Sequence, residues 1–370
     1  MKSAIENTNM APLTCLFEDA LKKGIFPGAA AGYICRGDTK RGKIWTFGTT
    51  DIFRKKRVLA STFFDLASLT KPLVTVLSLL AVMKEKNVDI TTPLKGLMKR
   101  NLPSHMEDMQ IGQLMNHSSG LPGHRPYFQE LIMLAELGDR KERIINRIFE
   151  EKLEYPVGCK HLYSDLGYIL LGRIVEDITG STLDMFWSEK ILKPLYLHKK
   201  FLFNPKNVIQ DTDLFAATEK CPWSGVVLSG IVHDENCRAM GGVAGHAGLF
   251  GTIDGVLQLC DHLLRQFRGE EEHPAYSNEQ LHNILSRHDN STWTYGFDTP
   301  STIGSSSGHF FSNQSVGHLG FTGTSFWIDL QEGISVVLLT NRVNPTRENE
   351  KIKFFRPAFH DTLMKLLLNR

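Results

Sequence analysis

The sequence predicts an α+β fold: an antiparallel sheet flanked by helices, formed from both termini, with an inserted mainly helical domain. Three observations predict it. Strand-like runs lie near the two ends of the chain, and the stretch from Lys71 to about Met240 carries helical periodicity. Turn residues join neighbouring terminal runs into hairpins, which makes the sheet antiparallel and lets the termini share it. The expected division is a sheet domain over 12–66 and 245–370 and a mainly helical domain over 67–244, with a site in the cleft between them.

Taken in order, apolar residues Leu13, Phe17 and Leu21 recur every four positions before Gly24, which predicts a first helix over 13–23. Runs 29–35 and 43–49 read as a hairpin, and 58–64 as a third extended run. A long apolar helix follows over 73–83. A charged helix is expected over 140–152. The 165–178 stretch repeats apolar residues (Leu166, Ile169, Leu170, Ile174, Ile178) up to the stop at Gly180, and 183–192 continues alike. Helices are expected again over 253–267, 278–287 and 352–368, with a surface loop at 270–274. Strands are expected over 292–297, 315–319, 324–329 and 334–340, the last two joined by Gln331-Glu332-Gly333.

Composition excludes several functions. The chain has 370 residues, 42% of them hydrophobic, and 42 basic against 40 acidic residues give a formal charge of +2. No concentrated basic field marks a nucleic-acid partner; Arg54-Lys55-Lys56-Arg57 is a short, solvated turn. The six cysteines lack C-x-x-C or Cys/His spacing, which predicts neither a metal site nor a disulfide framework. The 73–83 run is short of the roughly 20 residues of a membrane span. Residues 1–10 lack an apolar core and carry an acid, so a cytoplasmic location is expected; a trimmed leader would make it periplasmic. No cofactor is expected, and oligomeric state stays open.

The chemistry centres on Ser68-Leu69-Thr70-Lys71, where an extended run gives way to the apolar helix. Residues three apart on a helix share a face, and a helix start offers free N–H groups. A serine beside an amine there has the makings of an acyl-transfer nucleophile, because a hydroxyl attacks well only when a neighbouring base takes its proton. By itself the pattern is weak, since a Ser cap and a solvated Lys produce it too. Three further stretches stand out: Tyr163-Ser164-Asp165 before a buried helix, the glycine run around His246, and Gly317-His318-Leu319-Gly320-Phe321-Thr322-Gly323-Thr324.

Ser68-Leu69-Thr70-Lys71, Tyr163-Ser164-Asp165 and His318-Leu319-Gly320 stand in the order and rough spacing of the three motifs of the serine β-lactamase and penicillin-binding-protein superfamily. The chain resembles most its class C-like branch, which also holds D-alanyl carboxypeptidases and family VIII esterases. Met115-Asn116-His117-Ser118-Ser119-Gly120-Leu121-Pro122 and the 241–250 glycine run fit that branch too, over roughly residues 15–365. The resemblance implies the β-lactamase/transpeptidase-like version of the fold. It also implies catalytic roles for Ser68, Lys71 and Tyr163, an oxyanion hole from the N–H groups of Ser68 and Phe321, and substrate binding by Asp165, His318, Gly320 and Phe321.

Two departures stand out. Asp165 replaces the usual Asn and favours the ammonium form of Lys71, shifting the proton-taking task toward Tyr163. His318 replaces the usual Lys and holds a carboxylate less firmly. The expected function is a serine hydrolase that forms an acyl-enzyme on Ser68, an esterase or amidase on a small ester, amide or β-lactam. The alternatives are a β-lactamase or D-alanyl-D-alanine carboxypeptidase-like peptidase, and a catalytically silent binding protein. Arg342 is a further candidate carboxylate anchor.

Overall fold

The computed structural model describes residues 10–35, 42–131, 137–207, 209, 211–287 and 291–368. Helix α1 (Ala11–Lys22) leads into β1 (Gly28–Cys35) and β2 (Lys43–Gly48), and a short β3 (Phe64–Asp65) ends just before Ser68. Helix α2 (Leu77–Lys86) grows out of a π-helical stretch at Lys71–Val76, and α3 (Asp165–Thr179) crosses the helical middle. Strands β4 (Phe201–Leu202) and β5 (Phe250–Gly251) precede helix α4 (Ile253–Phe267). The chain closes with β6 (Ser315–Leu319), β7 (Ser325–Asp329), β8 (Ile334–Thr340) and helix α5 (Ile352–Leu368).

The main sheet has the order β2-β1-β8-β7-β6, every neighbouring pair antiparallel, so strands from both ends of the chain share it as expected. Alternation along β8 explains its burial on both faces. Val336 and Leu338 enter the core under α1 and α5, while Val337 and Leu339 enter the larger core beneath α4 and the helical middle. Phe17 on α1 fixes the first layer, stacked on Phe47 at 4.2 Å and edge-on to Phe355 and Phe359.

Three expectations need correction. The 292–297 run is not a strand: only Trp293 pairs, with Asp298, because Gly296 turns the chain at φ 105°. Of the 58–64 run only Phe64 enters a strand, and Phe63 makes an isolated bridge to Phe215. The 270–274 stretch is a loop but not all surface, for His273 is buried, stacked on Tyr276 and bonded to the Ile191 carbonyl. The Ala67–Lys86 stretch is long and apolar enough to cross a membrane by composition, yet 89% of it is buried inside the protein.

Candidate functional site

Ser68 lies in a short 3-10 turn over Ala67–Leu69, between β3 and the π-helical stretch, rather than on a regular helix. The turn is strained and tied down. Ala67 holds φ at 48°, unusual for a residue with a Cβ. Its N–H donates to Asp65 Oδ1 at 2.9 Å, and Thr70 Oγ1 donates to the Ala67 carbonyl at 2.6 Å.

Lys71 is fully buried, an ammonium inside an otherwise apolar segment, and its three N–H groups each have an acceptor. They reach Asp165 Oδ1 at 2.7 Å, the His246 carbonyl at 3.1 Å and Ser68 Oγ at 3.2 Å. Burial pulls the amine down, but the Asp165 carboxylate and Tyr163 outweigh it and hold Lys71 above the ordinary lysine range. For Asp165, burial pushes up, while Lys71 and His124 hold the carboxyl well below the usual range. His124 Nδ1 lies 3.4 Å from Asp165 Oδ2. Asp165 opens helix α3 after Ser164, whose hydroxyl caps the helix by accepting from the Gly167 N–H.

Tyr163 lies beside Lys71 and Ser68, both of which favour its ionised form. The Lys71 nitrogen also lies 4.9 Å from its ring centre. Burial raises the phenol above its ordinary value and the Lys71 charge pulls the other way. Around it stand His117, at 4.6 Å between ring centres, Trp293 at 5.5 Å and His318 at 6.0 Å.

His318 is buried on β6. Its Nδ1 lies 2.8 Å from the Leu319 carbonyl; a carbonyl only accepts, so Nδ1 carries the proton. Burial and then the Lys71 charge pull the imidazole down to about 3, so the ring is neutral and Nε2 presents a lone pair. The loop after β6 is stitched to the Ser68 turn: Thr322 Oγ1 donates to the Asp65 carbonyl at 2.7 Å and Thr324 Oγ1 to the Leu66 carbonyl at 3.2 Å. Gly320 permits this approach, since a Cβ there would meet Thr324 Oγ1 at 1.9 Å and the Leu66 carbonyl at 2.7 Å. Phe321 is half exposed beside His233, with which its ring stacks at 5.5 Å. Its N–H has no backbone partner among the described residues.

Arg342 is not a free carboxylate anchor. Its guanidinium donates to the carbonyls of Phe321, Arg347 and Asn349 and lies 4.6 Å from the Phe321 ring centre. Arg356, buried behind the same loop, donates to the carbonyls of Gly320 at 2.6 Å and Thr324 at 3.0 Å.

Ser68, Lys71, Tyr163 and Asp165 thus meet in one cluster, with His318 on its edge and Gly320 and Phe321 on the loop bound to the Ser68 turn. Sequence reasoning missed the His246 carbonyl and His124. The first belongs to the 241–251 glycine run, where Gly245 packs so close to helix α3 that a Cβ would meet the Tyr168 carbonyl at 2.0 Å. The density of glycine was the available signal; the backbone acceptor itself has none.

An antiparallel sheet shared by both termini, with this cluster beside a mainly helical middle, is the architecture of β-lactamase-type and penicillin-binding-protein-like hydrolases. The chain belongs to the Beta-lactamase family, whose model matches residues 14–356. It is 28% identical over 344 residues to an N-acetylmuramyl-L-alanine amidase of Bacillus subtilis, covering 86% of this chain and 77% of the relative. It is 30% identical over 316 residues to an Escherichia coli K12 protein provisionally named a D-alanyl-D-alanine carboxypeptidase, covering 77% and 70%. Among solved structures, EstCE1, a hydrolase with promiscuous acyltransferase activity, superposes with TM-score 0.73 at 20% identity, over 95% of this chain and 97% of that one. The octameric penicillin-binding protein homologue from Pyrococcus abyssi gives TM-score 0.73 at 19% identity, over 98% and 78%.

Proposed function

We propose that the protein is a serine acyl hydrolase that acts through an acyl-enzyme on Ser68, with a small ester or amide as substrate. The observation that carries this reading is the 3.2 Å contact between a fully buried Lys71 ammonium and Ser68 Oγ. All three Lys71 protons are committed, one of them to Ser68 itself, so Lys71 does not accept the serine proton in this state. Tyr163, which lies beside both, is the remaining acceptor. In the active form Tyr163 is a phenolate favoured by the Lys71 charge; Ser68 Oγ attacks the carbonyl carbon as its proton passes to the phenolate oxygen, which becomes the neutral phenol. The N–H groups of Ser68 and Phe321 take the oxyanion. The bond to the leaving group breaks as Tyr163 returns the proton to it. Water then repeats the sequence on the acyl carbon and restores the Ser68 hydroxyl. Because burial keeps the phenol protonated near neutrality, the rate rises toward alkaline pH.

The neutral His318 and the committed Arg342 leave the β6 side poorly suited to a carboxylate, which supports esters and amides over β-lactams and peptide C-termini there. A second reading, hydrolysis of cell-wall amides or peptides, is favoured by the names of the amidase and carboxypeptidase relatives. Mass spectrometry after incubation with a fluorophosphonate, and separately with a penicillin, tests both. We expect one fluorophosphonate adduct on the Ser68 peptide, p-nitrophenyl ester turnover, and loss of both in Ser68→Ala. A lasting penicilloyl adduct supports the second reading. No adduct and no turnover would leave a binding protein.

A further inference from the structure

The cations nearest the cluster are engaged elsewhere. Lys71 gives all its protons to the site, and Arg342 and Arg356 give theirs to main-chain carbonyls. Arg347 pairs with Glu219 and Glu235. His124 differs. Its Nδ1 faces Asp165 Oδ2 at 3.4 Å, its side chain is 48% exposed, and its other ring nitrogen has no partner among the described residues. The loop that carries it is fixed on both flanks: the Asp165 N–H donates to the Gly123 carbonyl at 2.8 Å, and Asn236 Nδ2 to the Arg125 carbonyl at 2.7 Å. The ring is therefore held at the rim of the site, one carboxylate away from Lys71.

We propose that His124 is the anion-binding residue of the substrate site: as an imidazolium docked on Asp165, it takes a carboxylate that the substrate carries several bonds from the scissile carbonyl. This rests on the acyl-hydrolase reading and names its substrate class, an ester or amide with a distal acid held on the Asp165 side rather than on β6. The charges facing the ring are Asp165, Asp234 and Glu235, and all favour its protonated form, with the Asp165 contact the largest influence. Each of these acids already has a cationic or hydrogen-bonding partner: Lys71 for Asp165, His246 Nε2 and the Cys237 N–H for Asp234, Arg347 for Glu235. With Nδ1 turned to Asp165, the Nε2–H of the half-exposed His124 imidazolium is the donor left for a substrate anion.

The test compares mono-p-nitrophenyl adipate with its methyl ester. In the wild type, kcat/KM favours the acid, and the preference fades as pH rises through the His124 titration, which lies above the ordinary histidine value. His124→Gln lowers the acid-to-ester ratio by about tenfold, and His124→Lys keeps the preference and carries it to higher pH. An equal loss on both esters, or an unmoved ratio, would overturn the proposal in favour of a role only through Asp165. A second readout needs no turnover: in Ser68→Ala protein, monomethyl adipate shifts the His124 Cε1–H resonance and raises its titration midpoint, and dimethyl adipate does neither. A silent resonance with both overturns the anion site even if ester turnover is intact. A shift without turnover leaves it standing while the hydrolase reading fails.

Discussion

Lys71 and His318 are two buried nitrogen bases on either side of Tyr163, and the protein drives them to opposite charge states. Both lose solvation, which disfavours the cation in each case. Lys71 has Asp165 at 2.7 Å and stays an ammonium; His318 has a backbone carbonyl and the Lys71 charge, and becomes a neutral ring. Burial is common to both, so the partner decides. The Lys71 cation held by Asp165 and the lone pair of the neutral His318 ring thus polarise the surroundings of Tyr163.

The largest effect expected from breaking this contrast is on Lys71. Lys71→Met leaves the Asp165 carboxylate without its main partner in a buried site, and should cost about 3–5 kcal/mol of stability. In the double variant Lys71→Met/Asp165→Asn, thermal unfolding should recover while ester turnover stays lost. If the single variant unfolds like the wild type, the ion pair does not anchor the site.

Next comes Asp165→Asn alone. Without the carboxylate, which raises the Tyr163 phenol, the opposing Lys71 charge acts on it less hindered and the phenol falls. The alkaline rise of kcat/KM should move to lower pH by about one unit or more. An unmoved pH profile would mean that the Asp165 charge does not govern Tyr163 as the base.

The smallest effect is on acid stability. His318 titrates near 3 in the fold and near 6.5 when unfolded. Its folded value is depressed, so its contribution is complete above about 6.5 and is lost as pH falls toward 3. Asp165 is also depressed, and its contribution is lost only at still lower pH, below the unfolded carboxyl value of about 3.9. Hence His318→Phe should flatten the fall of Tm between about pH 6.5 and 3, and Asp165→Asn should flatten it only in the more acidic range. Identical curves for the two variants would refute the separation.

Much of this was legible in the chain. The runs 315–319, 334–340, 253–267 and 352–368 coincide with β6, β8, α4 and α5, because in each one periodicity extends from a clear start to a clear stop. The convergence of Ser68, Lys71, Tyr163 and Asp165 was visible from motif order, and the replacement of a lysine by His318 from the third motif; the charge state of that ring was not. What escaped depended on tertiary contact. Periodicity did not register the turn at Gly296, and nothing local marked the His246 carbonyl as a Lys71 partner. His124 is set against Asp165, which is far away in sequence, and Arg342 loses its apparent availability to carbonyls on a different loop.

The two arginines behind β6 have a consequence for the geometry of the peptide between Gly320 and Phe321. In a trans peptide the carbonyl and the following N–H point in opposite directions. Arg356 grips the Gly320 carbonyl from the buried side, and Arg342 grips the Phe321 carbonyl at the next peptide. The Phe321 N–H is thereby aimed away from the core, with no backbone acceptor among the described residues. Arg356 holds the rear of this dipole while Arg342 fixes the next peptide, and a flip between Gly320 and Phe321 would have to break the Arg356 contact.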